Sequence, residues 1–269
     1  MKKLEVFGAV KLKGQIKISG SKNASLPILA ATLLSDKKIS LTNLPRVKDV
    51  GTMIKLLESM GSKVKLSKNK NSLVIQNNKK IKTEANYNLM STMRAGIIVL
   101  GPLLARFGKA RVSSPGGCNI GFRPIDIHLE AFKKMGVQYK IIDGYINAKA
   151  KNGLIGAKIR FPKISVGATE NLIIAACLAK GQTVLSNCAI EPEIKDLSNF
   201  LCSIGAQIVW TGRRQVKILG IKNFKQSNYK IMFDRIEAGT MLVAAAINQG
   251  NLKITGIESD ILKTEINVL

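Results

Sequence analysis

The run Pro115-Gly-Gly-Cys118-Asn-Ile-Gly121 sets three glycines around one cysteine directly after an alternating apolar segment. Glycine-rich chain of this kind presents backbone amides and can carry a thiol to a ligand. Cys118 has no apolar neighbours to bury it, whereas Cys177, Cys188 and Cys202 lie in or beside apolar stretches and read as small core residues. Arg123 follows two residues after the loop, and Arg94 and Lys22 would add positive charge if they converge on it, lowering the thiol pKa. Forked guanidinium groups grip multiply charged anions, so Cys118 reads as a reactive thiol beside an anionic ligand.

Two further segments fit anion contacts. Gly20-Ser-Lys22-Asn23 stands between an alternating strand and an apolar helix, where helix amides and a lysine suit a phosphate or carboxylate, and Asn23 could cap that helix. Lys163-Ile164-Ser165-Val166-Gly-Ala-Thr169 occupies the corresponding place before a later apolar helix; it reads equally as a capping loop or as an anion contact. The single histidine, His128, reads as a structural residue, and no histidine-based triad is expected. Metal-ligand spacing and the phosphate-loop signature are both missing, so metal hydrolysis and P-loop chemistry drop out.

These segments recur because the sequence repeats. Apolar helices beginning near Ser25, Ala95 and Asn171 are each followed by an alternating strand (residues 38–42, 110–114 and 183–187), a loop, and an amphipathic helix with an early acid, Asp49, Asp126 or Asp196. Each amphipathic helix ends at a glycine, Gly61, Gly136 or Gly205, so the units are 75 and then 69 residues apart. A fourth copy begins at Gly239, with a strand at 251–255 and a helix opening at Asp260. Its closing glycine would fall at about position 274, beyond Leu269, so a C-terminally truncated chain is expected.

Composition narrows the class. With 46% hydrophobic residues in 269, the chain can bury a large core without disulfide staples, and its four scattered cysteines fit reduced thiols in a cytoplasm. No export signal is visible, and the longest apolar run, 95–105, is too short to span a bilayer. The net charge of +25 comes mainly from 33 lysines spread along the chain without interleaved aromatics, which argues against nucleic-acid binding.

Gly20-Ser-Lys22-Asn23-Ala, Arg94-Ala, Leu100-Gly-Pro-Leu, Pro115-Gly-Gly-Cys118, Arg123-Pro124-Ile125-Asp126-Ile127-His128, Ser165-Val-Gly-Ala-Thr, Glu191-Pro-Glu193 and Asp234-Arg-Ile-Glu237 follow one another in this order. Together they make the whole chain closely resemble the UDP-N-acetylglucosamine 1-carboxyvinyltransferases of the enolpyruvyl transferase family. The resemblance implies an α/β fold, an inside-out α/β barrel of roughly 70-residue repeats. It also implies a complete first domain of three repeats at 22–232, an incomplete second domain from 1–21 plus 233–269, and an active site in the cleft between them.

The implied reaction moves enolpyruvyl from phosphoenolpyruvate to the 3-hydroxyl of UDP-N-acetylglucosamine, releasing phosphate, at the first committed step of peptidoglycan synthesis. Cys118 is similar to the family's proton-donating or covalently captured thiol, the residue that fosfomycin alkylates. Lys22, Asn23 and Arg123 match phosphoenolpyruvate contacts. Arg94, Arg123, Pro124, Ile125, Asp126, Ile127, Lys163, Ile164, Ser165 and Val166 match contacts to the UDP-sugar. No metal or other cofactor is implied. The partners are the two small molecules, with no nucleic acid or membrane, and the protein would be a cytoplasmic monomer. The family's general-base Asp belongs to later repeats, so little turnover is expected of these residues alone. The alternatives are a shikimate-pathway type transferase, which needs no thiol, and a non-catalytic binding module.

Overall fold

The computed structural model describes residues 3–5, 7–8, 11–85, 87–113 and 125–267. They form two compact units, one from residues 22–232 and one from 1–21 with 233–269.

The chain opens with strand β1 (Lys13–Lys17). A first repeat follows, with helix α1 (Lys22–Ala31), β2 (Ile39–Thr42), α2 (Lys48–Met60), β3 (Ser62–Leu66) and β4 (Ser72–Asn77). The second has β5 (Glu84–Ala85), the short α3 (Tyr87–Met90), a 3-10 segment (Arg94–Val99) running into α4 (Leu100–Phe107), β6 (Lys109–Ser113), α5 (Asp126–Lys134), β7 (Gln138–Ile142) and β8 (Tyr145–Lys149). The third has β9 (Lys158–Arg160), α6 (Val166–Ala176), β10 (Gln182–Ser186), α7 (Pro192–Ser203), β11 (Gln207–Gly212) and β12 (Gln215–Leu219). Then come β13 (Ser227–Lys230), α8 (Arg235–Ile247), β14 (Asn251–Thr255), a 3-10 turn (Ser259–Leu262) and α9 (Lys263–Ile266).

Within the larger unit three four-stranded sheets share one plan, in the orders β13-β2-β4-β3, β5-β6-β8-β7 and β9-β10-β12-β11. The first pair in each order is parallel and the rest are antiparallel. The first sheet takes its parallel edge from β13, more than a hundred residues later, and Asn43 locks the junction through a hydrogen bond to the Ile231 carbonyl at 2.9 Å. The ring of repeats is thereby closed by the end of the third.

The helices divide by how their apolar residues are distributed. In α2, α5 and α7 a buried stripe faces inward and the rest is wetted, as amphipathic spacing requires. In α1 and α6 nearly every residue after the first turn is buried, and α6 packs on both α1 and α4 inside the surrounding sheets. Apolar helices inside and half-wet sheets outside make this the inside-out α/β arrangement that the family resemblance implied. The amphipathic helices of all three repeats close on glycines in the left-handed region, Gly61 at φ 110°, Gly136 at 87° and Gly205 at 106°.

In the smaller unit β1 and β14 pair in parallel. Asp234 caps α8, its Oδ1 accepting from the N–H groups of Ile236 (2.9 Å) and Glu237 (3.0 Å), and Glu237 in turn accepts from the Ser19 N–H at 3.0 Å.

Two expectations need correction. The apolar run 95–105 is two segments, 3-10 then α, with a break at Ile97–Gly101. Asp196 does not serve a helix dipole, because Pro192 starts α7 a turn earlier. It is buried and accepts hydrogen bonds from the Tyr229 hydroxyl (2.6 Å) and the Met232 N–H (3.2 Å), tying α7 to the segment that supplies β13.

Candidate active site

Lys22 is the first residue of α1, and Asn23 lies in its first turn instead of capping it. The first turn carries no acidic residue, so the lysine adds like charge to the positive end of the helix dipole. Asp49, in the first turn of α2, answers part of that charge with its Oδ2 3.5 Å from Lys22 Nζ. A lysine at the positive end of a helix is a favourable setting for a small anion.

In the second repeat, Arg94 opens the 3-10 segment; its side chain falls outside the described atoms. Ile125 precedes α5, and Asp126 and Ile127 form its first turn. Cys118, Arg123 and Pro124 lie outside the described residues, between Ser113 at the end of β6 and Ile125. In the third repeat Ser165 caps α6, its hydroxyl accepting from the Ala168 N–H at 3.3 Å. Lys163 and Ile164 are exposed just before the cap, and Val166 is the first helical residue.

The heads of α5 and α6 lie side by side. Asp126 and Ile127 line one cleft with Arg160, Phe161 and Pro162, which lead directly into Lys163. Deeper in, the imidazole of His128 lies against Gly167, where a Cβ would stand 3.6 Å from Nε2. Residues 126–127 and 163–166 therefore border one surface. Helix α1, which Lys22 opens, packs on α6 and on the 3-10 segment that Arg94 opens. The cysteines away from the loop are inert or misjudged. Burial raises the thiol pKa of Cys177 and pushes that of Cys188 up to about 12, but Cys202 is exposed and not the core residue expected from its neighbours.

The family model for EPSP synthase (3-phosphoshikimate 1-carboxyvinyltransferase) matches residues 6–269. The chain belongs to the EPSP synthase family. All 269 residues align with a UDP-N-acetylglucosamine 1-carboxyvinyltransferase of Pelagibacter ubique at 70% identity, covering 64% of that protein. The homonymous protein of Trichlorobacter lovleyi is 47% identical over 258 residues, 96% of this chain and 61% of its own length. The chain thus spans somewhat under two thirds of the curated relatives it matches. Among solved structures, the enolpyruvyl transferase NikO of Streptomyces tendae superposes with a TM-score of 0.86 at 19% identity, over 97% of this chain and 62% of its own. An EPSP synthase of Acinetobacter baumannii does so with 0.76 at 17%, over 97% and 60%. At such identities these two carry the fold.

Within this member of the EPSP synthase family, two residues of α6 escaped the sequence reading. Asn171 is fully buried and hydrogen-bonded to three partners, the Gly101 N–H, the Ile97 carbonyl and His128 Nδ1. Its neighbour Glu170 is also buried, and burial, then the nearby Glu193 and Glu191, push its carboxyl well above the usual range. Their signal was available as the polar run Thr169-Glu170-Asn171 inside an otherwise apolar helix. His128 is buried and polar-bonded as expected of a structural histidine; burial lowers its pKa to about 4 against the raising influence of Asp126. No helix among the described residues is long and apolar enough to cross a membrane.

Proposed function

We propose that the protein acts as a UDP-N-acetylglucosamine 1-carboxyvinyltransferase, transferring enolpyruvyl from phosphoenolpyruvate to the sugar 3-hydroxyl with release of phosphate, in the cytoplasm and as a monomer. The observation that carries the reading is the 70% identity to the Pelagibacter ubique relative across every residue of this chain. The paired heads of α5 and α6 support it, because a capped helix end with an adjacent lysine suits a diphosphate, and the cleft beside Phe161 and Pro162 offers apolar walls for a base.

In this reading Lys22, Asn23 and Arg123 hold phosphoenolpyruvate. Arg94, Arg123–127 and 163–166 hold the UDP-sugar. Two anionic substrates repel each other, and fixed cations offset that repulsion while leaving charge to be neutralised as phosphate departs. Cys118 protonates phosphoenolpyruvate or captures it covalently. The relatives are longer than this chain and the resemblance assigns the general base to later repeats, so the proposal for these residues alone is substrate binding with little phosphate release. Isothermal titration with UDP-N-acetylglucosamine and mass spectrometry after fosfomycin test it. Saturable binding and one adduct on Cys118 are expected. Absence of both would sink the reading, and binding of shikimate 3-phosphate without thiol labelling would favour the shikimate-type reaction that the family description names.

A further inference from the structure

The interruption in the 94–107 helix is made by a side chain. In an unbroken α-helix the Gly101 N–H would donate to the Ile97 carbonyl. Here it donates to Asn171 Oδ1 at 2.7 Å, while Asn171 Nδ2 donates to the Ile97 carbonyl at 3.0 Å. The carboxamide replaces one rung of another repeat's helix, and the N–H of Leu100 turns back to Ile97 in the 3-10 pattern. Only glycine fits at position 101, since a Cβ would stand 2.3 Å from Asn171 Oδ1 and 2.5 Å from its backbone oxygen.

The remaining hydrogen of Asn171 Nδ2 points at His128 Nδ1, 3.1 Å away. Both Nδ2 hydrogens are then used, and Nδ1 must be an unprotonated acceptor, so His128 is the neutral tautomer with hydrogen on Nε2. That edge of the ring covers Gly167 in the first turn of α6. Each contact abuts a candidate ligand segment. Ile97 is one 3-10 turn from Arg94, His128 directly follows Asp126 and Ile127, and Gly167 directly follows Ser165 and Val166.

We propose that Asn171 and His128 are positioning residues for the nucleotide-sugar site: a buried amide wedge and its imidazole latch that fix the start of the 94–107 helix against the heads of α5 and α6. Neither touches the ligand. The alignment they impose sets its affinity, and the inference rests on the UDP-sugar reading of those segments. Asn171 is the sixth residue of α6, and the sixth residues of α1, of the 94–99 segment and of α8 are Pro27, Val99 and Thr240, none of which carries a carboxamide.

The single histidine makes the test direct. In nitrogen-15 spectra of the whole 269-residue chain, the imidazole is expected to show a bare Nδ1 and a protonated Nε2, unchanged down to about pH 5. A protonated Nδ1, or titration near the free value, overturns the proposal whatever the variants do. Asn171→Asp keeps an acceptor for Gly101 but cannot donate, so His128 should switch to the Nδ1–H tautomer; affinity for UDP-N-acetylglucosamine, by titration calorimetry, should fall tenfold or more. Asn171→Leu should lose at least as much. Unchanged affinity in a folded variant whose tautomer has switched refutes the positioning role alone. Failure of the unmodified chain to bind UDP-N-acetylglucosamine refutes the site reading and this inference with it.

Discussion

Helices α6 and α8 occupy the same place in their repeats and are apolar on every side, yet their burial is opposite. In α6 nine of the eleven residues are buried, including Leu172, Ile173 and Ile174. In α8 only Ala238 is, with Ile247 78% and Ile236 52% exposed. Capping does not explain the contrast, since Ser165 and Asp234 both cap their helices through side chains. The surroundings do. Helix α6 has α1, α4, α5 and α7 against it within its unit, while α8 has β14 and the turn at Ser259–Leu262 within its own. A helix without an amphipathic stripe encodes burial on all sides but does not supply the partners that achieve it.

The sharpest way to break this comparison is to cut the same kind of side chain from each helix. Leu172→Ala removes a fully buried leucine from the ring of helices and should cost about 3 kcal/mol, the usual range for a core truncation. Val243→Ala, at a position exposed in α8, should stay within about 0.5 kcal/mol. Urea unfolding followed by the fluorescence of Trp210, the only tryptophan, reports the larger unit, and far-ultraviolet circular dichroism also reports the smaller one, which holds Val243. Similar costs for the two variants would show that α8 is covered in solution.

Next in size is a pH effect confined to the larger unit. The folded-state pKa of His128 is lowered from 6.5 to about 4, so between those values the unfolded chain binds a proton that the folded chain refuses. Stability is therefore complete above pH 6.5 and declines as pH falls toward 4. At 1.36 kcal/mol per unit the loss approaches about 3 kcal/mol. Glu170 works the other way: its carboxyl is raised by burial and then by Glu193 and Glu191, so the folded chain keeps a proton that the unfolded chain releases, and stability declines as pH rises above 4.5. Urea midpoints across pH 4.5 to 8 should flatten on the acid side in His128→Phe and on the alkaline side in Glu170→Gln. Parallel curves for all three proteins would contradict both assignments.

The repeat was legible because helix-closing glycines and apolar periodicity are local signals, and Gly61, Gly136 and Gly205 took the left-handed conformation that their spacing implied. The closure of the ring was not. Strand β13 is Ser227-Asn-Tyr-Lys230, polar and short, and nothing in four such residues names a partner at Ile39–Thr42. The break at Ile97–Gly101 was hidden for a related reason, since hydropathy runs through it unbroken and the cause sits on another helix, at Asn171. In the candidate site, Ser165 as a cap and the lysine beside it could be read from residue type alone. Asn23 and Asp196 were misplaced because helix starts shift by a turn or less without disturbing the periodicity that locates them.

The smallest expected effect separates stability from binding. Lys22 and Asp49 form an ion pair of 3.5 Å whose side chains are 43% and 40% exposed. Solvent screening and the entropy of holding two mobile side chains limit such a pair to about 0.5 kcal/mol. Lys22→Ala also removes a positive charge from the positive end of α1, which returns part of that small sum. The dipole effect belongs to Lys22 alone and cancels in a double-mutant cycle, so Lys22→Ala with Asp49→Ala should give a coupling of at most about 0.5 kcal/mol, with the urea midpoint of the larger unit barely moved. If α1 opens on a lysine for the sake of an anion, phosphoenolpyruvate should still protect the unmodified chain and fail to protect Lys22→Ala. A large coupling energy with equal protection would instead make the pair a structural tie between α1 and α2.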